Sequence, residues 1–440
     1  MSGERGRFLR NTGWMFFSRV LRLGLAFLAS VLVARYLGRN DFGELNYLLS
    51  FVTLFAALGT LGMSDVLVRD LEAEPDLAAE GEILGTALVL RVIGTGLMSA
   101  LALAVGVYLG HRGLTLALMV SVCVFQLLTN AAATFERRFE ARVLAKWSSI
   151  AQSLAMIAST LLSVVLILAR ASLTAFILVK VAESGVLLLV LVGYQFRTGG
   201  ARVLRFSAAR ARQLLRAGLP LMLTGIFLTI YMRIDQVMIK HYLDEGAVGC
   251  YAVAVRLSEA WYFVPSVIAA SFFPAILSAR RQDAARYHDR LQALYELMTW
   301  MGLGLALPTT LCADWIVGLL FGADFAPAGG VLALYIWAGV FVFQSIVRGK
   351  WIVAENLQRY ALVFTGLATT VNVVLNAILI PRVGLDGAAW ATVISCFCQS
   401  ILVPAFFAPT RASSRAILRS FVPVHLWREG LAIRRHFHRP

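Results

Sequence analysis

The sequence predicts an all-α integral membrane protein with twelve transmembrane helices, arranged as two six-helix lobes around a central cavity. Three observations predict it. The 440 residues are 59% hydrophobic and only 15% charged, with a mean hydropathy of +0.76, whereas soluble domains are about a quarter charged. Apolar runs of about twenty residues, enough to cross a hydrocarbon core roughly 30 Å thick, recur twelve times along the chain. The chain also carries traces of an internal duplication, described below.

The runs lie near 14–35, 45–68, 83–109, 114–134, 147–168, 173–195, 213–238, 247–277, 293–311, 328–347, 360–380 and 386–408. The first continues well past signal-peptide length and no small-residue cleavage site follows it, so it reads as a retained first span. The linkers are too short to hold a soluble domain. Basic residues in alternate loops set the orientation. The N-terminus and every second loop carry 28 Lys and Arg, the opposite loops 6 and the spans themselves 6. Both termini are therefore expected in the cytoplasm of a multi-pass protein of the bacterial inner membrane. The net charge of +15 is mostly this topology signal, and no nucleic-acid partner is expected. One cytoplasmic loop dissents: Asp70, Glu72, Glu74, Asp76, Glu80 and Glu82 make it acidic, with no function legible in it.

The duplication shows in the outer turns. Val31–Tyr47 and Val237–Val253 align at a shift of 206 residues, so that Tyr36 meets Tyr242, Leu37 meets Leu243 and Gly43 meets Gly249. Leu144-Ala-Lys146-Trp147 is echoed by Leu357-Gln-Arg359-Tyr360. Six spans is an even number, so both copies point the same way across the membrane, as in transporters built on parallel repeats. The expected domains are an N-terminal lobe at 1–196, a cytoplasmic linker at 197–212, a C-terminal lobe at 213–410 and a basic cytoplasmic tail at 411–440.

Six cations fall inside the spans: Arg19, Arg22, Arg91, Lys180, Arg233 and Arg256. Each would cost roughly 2.5–3.5 kcal/mol against lipid, so they are expected to face acids, water or an anionic ligand. Arg19 and Arg22 share one face of the first helix; they either snorkel to the headgroups or face a cavity. Lys180 and Glu183 read as an ion pair, and Arg91 as the answer to Asp65. Arg256 pairs either with Glu259 on its own helix or with Asp235 across the seventh–eighth hairpin, which would leave Arg233 available. Against Glu183, Asp235 and Glu259 the spans hold three excess positive charges.

Arg233-Ile-Asp235-Gln236, Tyr242-Leu243 and Gly249-Cys-Tyr251 through Arg256, with Phe273-Pro274-Ala275, Asn372 through Asn376, Ile380-Pro381 and Gly384-Leu-Asp-Gly387, resemble bacterial polysaccharide flippases. These are the O-antigen and capsule repeat-unit translocases, in the superfamily that also holds multidrug extruders and lipid II flippases. Ser30 through Gly38 with Phe42-Gly43 fits as well, and the resemblance covers nearly the whole chain. It implies alternating access that moves an undecaprenyl-pyrophosphate-linked oligosaccharide outward, with the glycan polymerase and glycosyltransferases of the same pathway as partners. A pyrophosphate diester carries about two negative charges, and Arg grips phosphate oxygens in a two-pronged geometry. Arg19, Arg22, Arg233 and Arg256 are thus the substrate-binding candidates, and Asp235 and Glu259 the coupling-ion candidates.

Other classes fit less well. An ion-coupled multidrug antiporter would favour cationic drugs, which a positive chamber repels. A membrane-embedded polyprenyl transferase needs clustered acids or His, and the six His are dispersed. No catalytic residue, metal site or cofactor is expected. The five Cys read as small membrane-core residues. Pro220 is the candidate bending point of the seventh helix, with static shaping of the bundle as the alternative. The tail from Arg411, including Phe421 and Trp427, either lies on the anionic inner leaflet or stays a disordered basic extension.

Overall fold

The computed structural model describes residues 2–74, 76–200 and 203–424, apart from the side chains of residues 2–19, 145, 220, 281, 282 and 284. Every extended element among the described residues is helical. Among the described residues eleven helices are long and apolar enough to cross a membrane. The first, Val20–Gly59, has 40 residues, about twice the length a single crossing needs. Gly38 breaks it at φ 72° and ψ 175°, a conformation open essentially only to glycine. It therefore holds two spans, which brings the number to twelve. Leu97, Leu161, Leu189, Leu311 and Trp315, spread over four helices, are 62–86% exposed. Such surfaces suit acyl chains and not water.

The chain forms two compact units, residues 1–237 and 238–440. The first unit contains α1 (Ser2–Gly59), α2 (Ser64–Ala73), α3 (Leu77–Tyr108), α4 (Gly113–Ala141), α5 (Ala145–Leu168), α6 (Leu173–Arg197) and most of α7 (Ala208–Tyr242). Its core joins Ala132, Phe135 and Phe139 of α4 to Ala151 and Leu191. The second span does not run straight. It stops at Gly59 and restarts at Ser64, with Leu61 at φ 55° and Gly62 at φ 64° between. A Cβ on Gly62 would sit 2.3 Å from the Gly218 carbonyl oxygen, and one on Gly59 2.6 Å from the Thr95 Cα. The break is thus packed directly against the backbones of α3, at Gly59, and of α7, at Gly62.

The second unit contains α8 (Glu245–Glu259), α9 (Phe263–Gln282), α10 (Ala284–Phe321), α11 (Ala328–Tyr335), α12 (Ala338–Ala354), α13 (Gln358–Val383) and α14 (Leu385–Phe397). A π-helical turn at Cys398–Leu402, α15 (Val403–Phe406) and α16 (Arg411–Arg419) follow. Tyr295, Met298, Phe343, Val347 and Phe364 centre its core.

The two units build one turn twice. Val143 and Asn356, 213 residues apart, stand at φ 57° and φ 56° although neither is glycine. After each, the next amide reaches back to the same place: Leu144 N–H to the Phe139 carbonyl at 2.7 Å, and Leu357 N–H to the Ile352 carbonyl at 2.9 Å. Trp147 then packs edge-on against Tyr194 with centroids 4.7 Å apart, and Tyr360 likewise against Phe407 at 5.5 Å. Both members of the second pair again lie 213 residues downstream. The outer turn shows the opposite behaviour. Gly38 solves it with its unusual φ, whereas Asp244 at the aligned position caps α8, accepting the Ala247 N–H at 2.7 Å.

Candidate functional site

The charged groups of the first unit are held by contacts within and between its helices. Arg22, half-buried on α1, donates from Nη1 to the Ser149 carbonyl at 3.2 Å and to Ser153 Oγ at 3.4 Å, both on the first turns of α5. The Arg19 side chain lies outside the described residues. Lys180 and Glu183 form the expected pair at 2.8 Å, and the Ser159 hydroxyl adds a bond to the same carboxylate oxygen at 2.7 Å. That cluster is satisfied internally.

Arg91 is 1% exposed and donates from Nη2 to Ser64 Oγ at 3.0 Å. The expectation that it answers Asp65 is corrected. Asp65 is exposed, because successive residues turn about 100° around a helix, and it is Ser64 that Arg91 meets. Arg91 thereby ties α3 to the first residue after the break in the second span. Its Nε is buried without a hydrogen-bond partner among the described residues.

On α7, Asp235 and Gln236 are buried at 5% and 4% exposure, and Gln236 Oε1 accepts the Ser50 hydroxyl at 2.8 Å. Arg233, two residues earlier, is exposed and makes no ion pair among the described residues. The spacing of two thus separates the cation from the acid, as their positions on the helix require. In the second unit Arg256 is exposed and Glu259 half-buried at the end of α8.

Three polar clusters escaped the sequence reading. Glu80, 1% exposed, accepts Arg138 Nε at 2.9 Å and Arg142 Nη2 at 3.0 Å. Arg138 also donates to Thr198 Oγ1 at 2.7 Å and Arg142 to the Glu74 carbonyl at 2.7 Å. Arg210 reaches Glu74 at 3.6 Å, and Arg205 N–H bonds the Gly81 carbonyl at 3.2 Å. The acidic loop is therefore the counter-surface for α4 and the basic linker. The signal was Arg138 and Arg142 at i, i+4, one face of one helix.

The second cluster is Arg348, placed in a loop by a span expected to end at 347. Instead α12 continues to Ala354 and Arg348 is 4% exposed. The apolar Trp351-Ile-Val-Ala354 was the overlooked signal. The third is a buried ladder. Asn376 donates to Asn372 Oδ1 at 3.1 Å, Asn372 to Ser395 Oγ at 3.4 Å, and Tyr251 Oη meets Thr392 Oγ1 at 3.2 Å. Asn372 and Asn376, again i, i+4, were the available hint. Among the described residues no three His, Cys, Asp or Glu gather as a metal site.

Fold and charges together define a multi-pass helical membrane protein with basic side chains inside its spans. Residues 8–280 match the family described as polysaccharide biosynthesis protein, and the chain belongs to that family. A protein of Haloferax volcanii named "Probable flippase AglR" is 26% identical over 415 residues, covering 89% of this chain and 82% of the relative. Among solved structures, "Lipid II flippase MurJ, inward closed conformation" superposes with a TM-score of 0.71 at 14% identity, covering 93% of this chain and 90% of that one. An inward-facing multidrug-resistance MATE transporter gives a TM-score of 0.66 at 15% identity, covering 92% and 96%.

Proposed function

We propose that this protein flips an undecaprenyl-pyrophosphate-linked oligosaccharide from the inner to the outer leaflet of the cytoplasmic membrane, both termini lying in the cytoplasm. The observation that carries this reading is the match to a flippase-named relative across 89% of the chain. Membership of a family described by polysaccharide biosynthesis supports it. The relatives are named for transport and not for catalysis, and the chain acts here as a transporter and not as an enzyme.

The intramembrane cations supply the recognition chemistry. Lys180 is neutralised by its own carboxylate partner, so it is set aside. Arg233, exposed and unpaired among the described residues, is the strongest of the four substrate-binding candidates. Arg22, Arg256 and Arg19 complete the proposed set. Their guanidinium groups would hold the pyrophosphate through charge-assisted bonds while the prenyl chain stays in lipid. Asp235 and Glu259 are the proposed coupling-ion carriers, alternating access the proposed mechanism, and the pathway's polymerase and glycosyltransferases the proposed partners.

The likeness to a MATE transporter favours a second reading, an ion-coupled multidrug antiporter. The excess of positive charge within the spans argues against cationic drugs as cargo. Complementation separates the two. Strains each lacking a flippase for one defined glycan are expected to regain surface polysaccharide in at least one case. Failure in all of them, together with raised resistance to cationic dyes, would establish the antiporter reading.

A further inference from the structure

The segment after the last span folds in a way that transport alone does not explain. α16 begins five residues beyond Phe406, where α15 ends. Its inward face is built for protein: Ser413, Ser414, Ile417 and Ser420 are all 2% exposed or less. Tyr295 Oη meets Ser413 Oγ at 3.1 Å, Gln292 donates to the Ala416 carbonyl at 3.1 Å and Thr299 Oγ1 meets Ser420 Oγ at 2.6 Å. The Ser414 hydroxyl reaches the Ile401 carbonyl at 2.9 Å. Hydrogen bonds to α10 and to the π-helical turn thus fix the rotation of α16 about its own axis.

That rotation turns Arg411, Arg415 and Arg419 outward in one stripe, at i, i+4 and i+8. All three are exposed, and none forms an ion pair among the described residues. No Asp or Glu occurs anywhere from 387 to 428. Beside the stripe stand Leu418 at 55%, Phe421 at 37% and Val422 at 61% exposure. Arg411 Nε donates to the Ala405 carbonyl at 3.1 Å. A row of guanidinium groups with no carboxylate partner among the described residues, edged by large apolar side chains, is the pattern of a helix lying in the headgroup region. A water-facing helix would not need the apolar border, and an acyl-facing one would not carry the arginines.

We propose that the outer face of α16 is a binding surface for anionic phospholipid headgroups of the leaflet where the last span ends. The three arginines take the phosphate oxygens, and Leu418, Phe421 and Val422 enter the boundary with the acyl chains. The surface uses none of the substrate-binding candidates, so the proposal stands or falls independently of the cargo.

The test uses the full-length protein in detergent, titrated with phosphatidylglycerol or phosphatidylcholine, with bound lipid counted by native mass spectrometry. The unmodified protein is expected to prefer phosphatidylglycerol. Arg411→Gln/Arg415→Gln/Arg419→Gln is expected to lose that preference by about fivefold or more, the factor one headgroup–Arg contact represents. The control Arg286→Gln/Lys350→Gln/Arg359→Gln removes three other exposed cations and is expected to keep it. Unchanged preference in the first variant, or equal loss in both, overturns the proposal. A second measurement does not depend on how the triple variant folds. A nitroxide at Leu418→Cys in a Cys312→Ser background, in phosphatidylcholine–phosphatidylglycerol nanodiscs, is expected to be more accessible to dissolved oxygen than to an aqueous nickel chelate. The reverse order also overturns the proposal.

Discussion

Arg348 donates from Nη1 to the carbonyl of Ser400 at 2.5 Å, and Ser400 is the residue whose helical donor Pro404 removes. A proline has no N–H to give to the carbonyl one turn back, and a bare carbonyl inside a bundle costs about 1–3 kcal/mol. Arg348 supplies the missing proton from the neighbouring helix. Its other amino group bonds Ser345 Oγ at 3.2 Å, and its Cζ lies 5.5 Å from the Phe364 ring centroid. The π-helical turn at Cys398–Leu402 is therefore pinned from outside as well as opened by its proline.

A double-mutant cycle tests that relationship. Arg348→Met is expected to lower stability by about 1 kcal/mol more in the native background than in Pro404→Ala. The alanine amide can serve Ser400 where proline cannot. Thermal unfolding of detergent-purified protein, followed by intrinsic fluorescence, reads the difference. Equal costs in both backgrounds would show that the two residues are not coupled.

Glu80→Gln is expected to be severe. It leaves Arg138, itself 3% exposed, and Arg142 sharing a neutral amide, and breaking a buried pair from one side costs about 3–5 kcal/mol. Glu82→Gln, a neighbouring acid that forms no ion pair among the described residues, is the control and is expected to be nearly silent. Yield of folded protein and unfolding temperature measure both.

Removing the charge of Arg233 should act on transport and leave folding intact, because the side chain is exposed and makes no ion pair among the described residues. Arg233→Gln and Arg256→Gln are each expected to reduce surface polysaccharide strongly at unchanged membrane abundance. Normal polysaccharide in both would remove them from the binding set.

Lys180 and Glu183 behave as a unit. Lys180→Met alone leaves a carboxylate inside a span, held among the described residues by the Ser159 hydroxyl. The double variant Lys180→Met/Glu183→Gln is therefore expected to be more stable than the single one and to transport normally. Transport lost in the stable double variant would mean that the pair does more than hold α6.

Coupling is tested at Asp235 and Glu259. Asp235→Asn and Glu259→Gln are expected to abolish the dependence of flipping on a proton or sodium gradient, assayed in energised vesicles. Gradient-dependent flipping that survives in both variants would place the coupling elsewhere.

By itself, the sequence determined the bilayer as solvent, the number of spans and one turn that recurs in both units. These rest on quantities local to the chain: apolar length against membrane thickness and turns that recur after a fixed interval. The turn at Val143 and its copy at Asn356 were legible for that reason, as was Lys180 with Glu183, three residues apart on one helix. Only the tertiary structure decided what meets across helices. That Arg91 finds Ser64 and not Asp65, that two arginines of α4 converge on Glu80, that Arg348 serves a carbonyl fifty-two residues away, and that α16 turns serines inward and arginines outward all depend on the rotation of one helix against another. Side-chain spacing along a single helix carries no record of that angle; close packing against neighbours sets it.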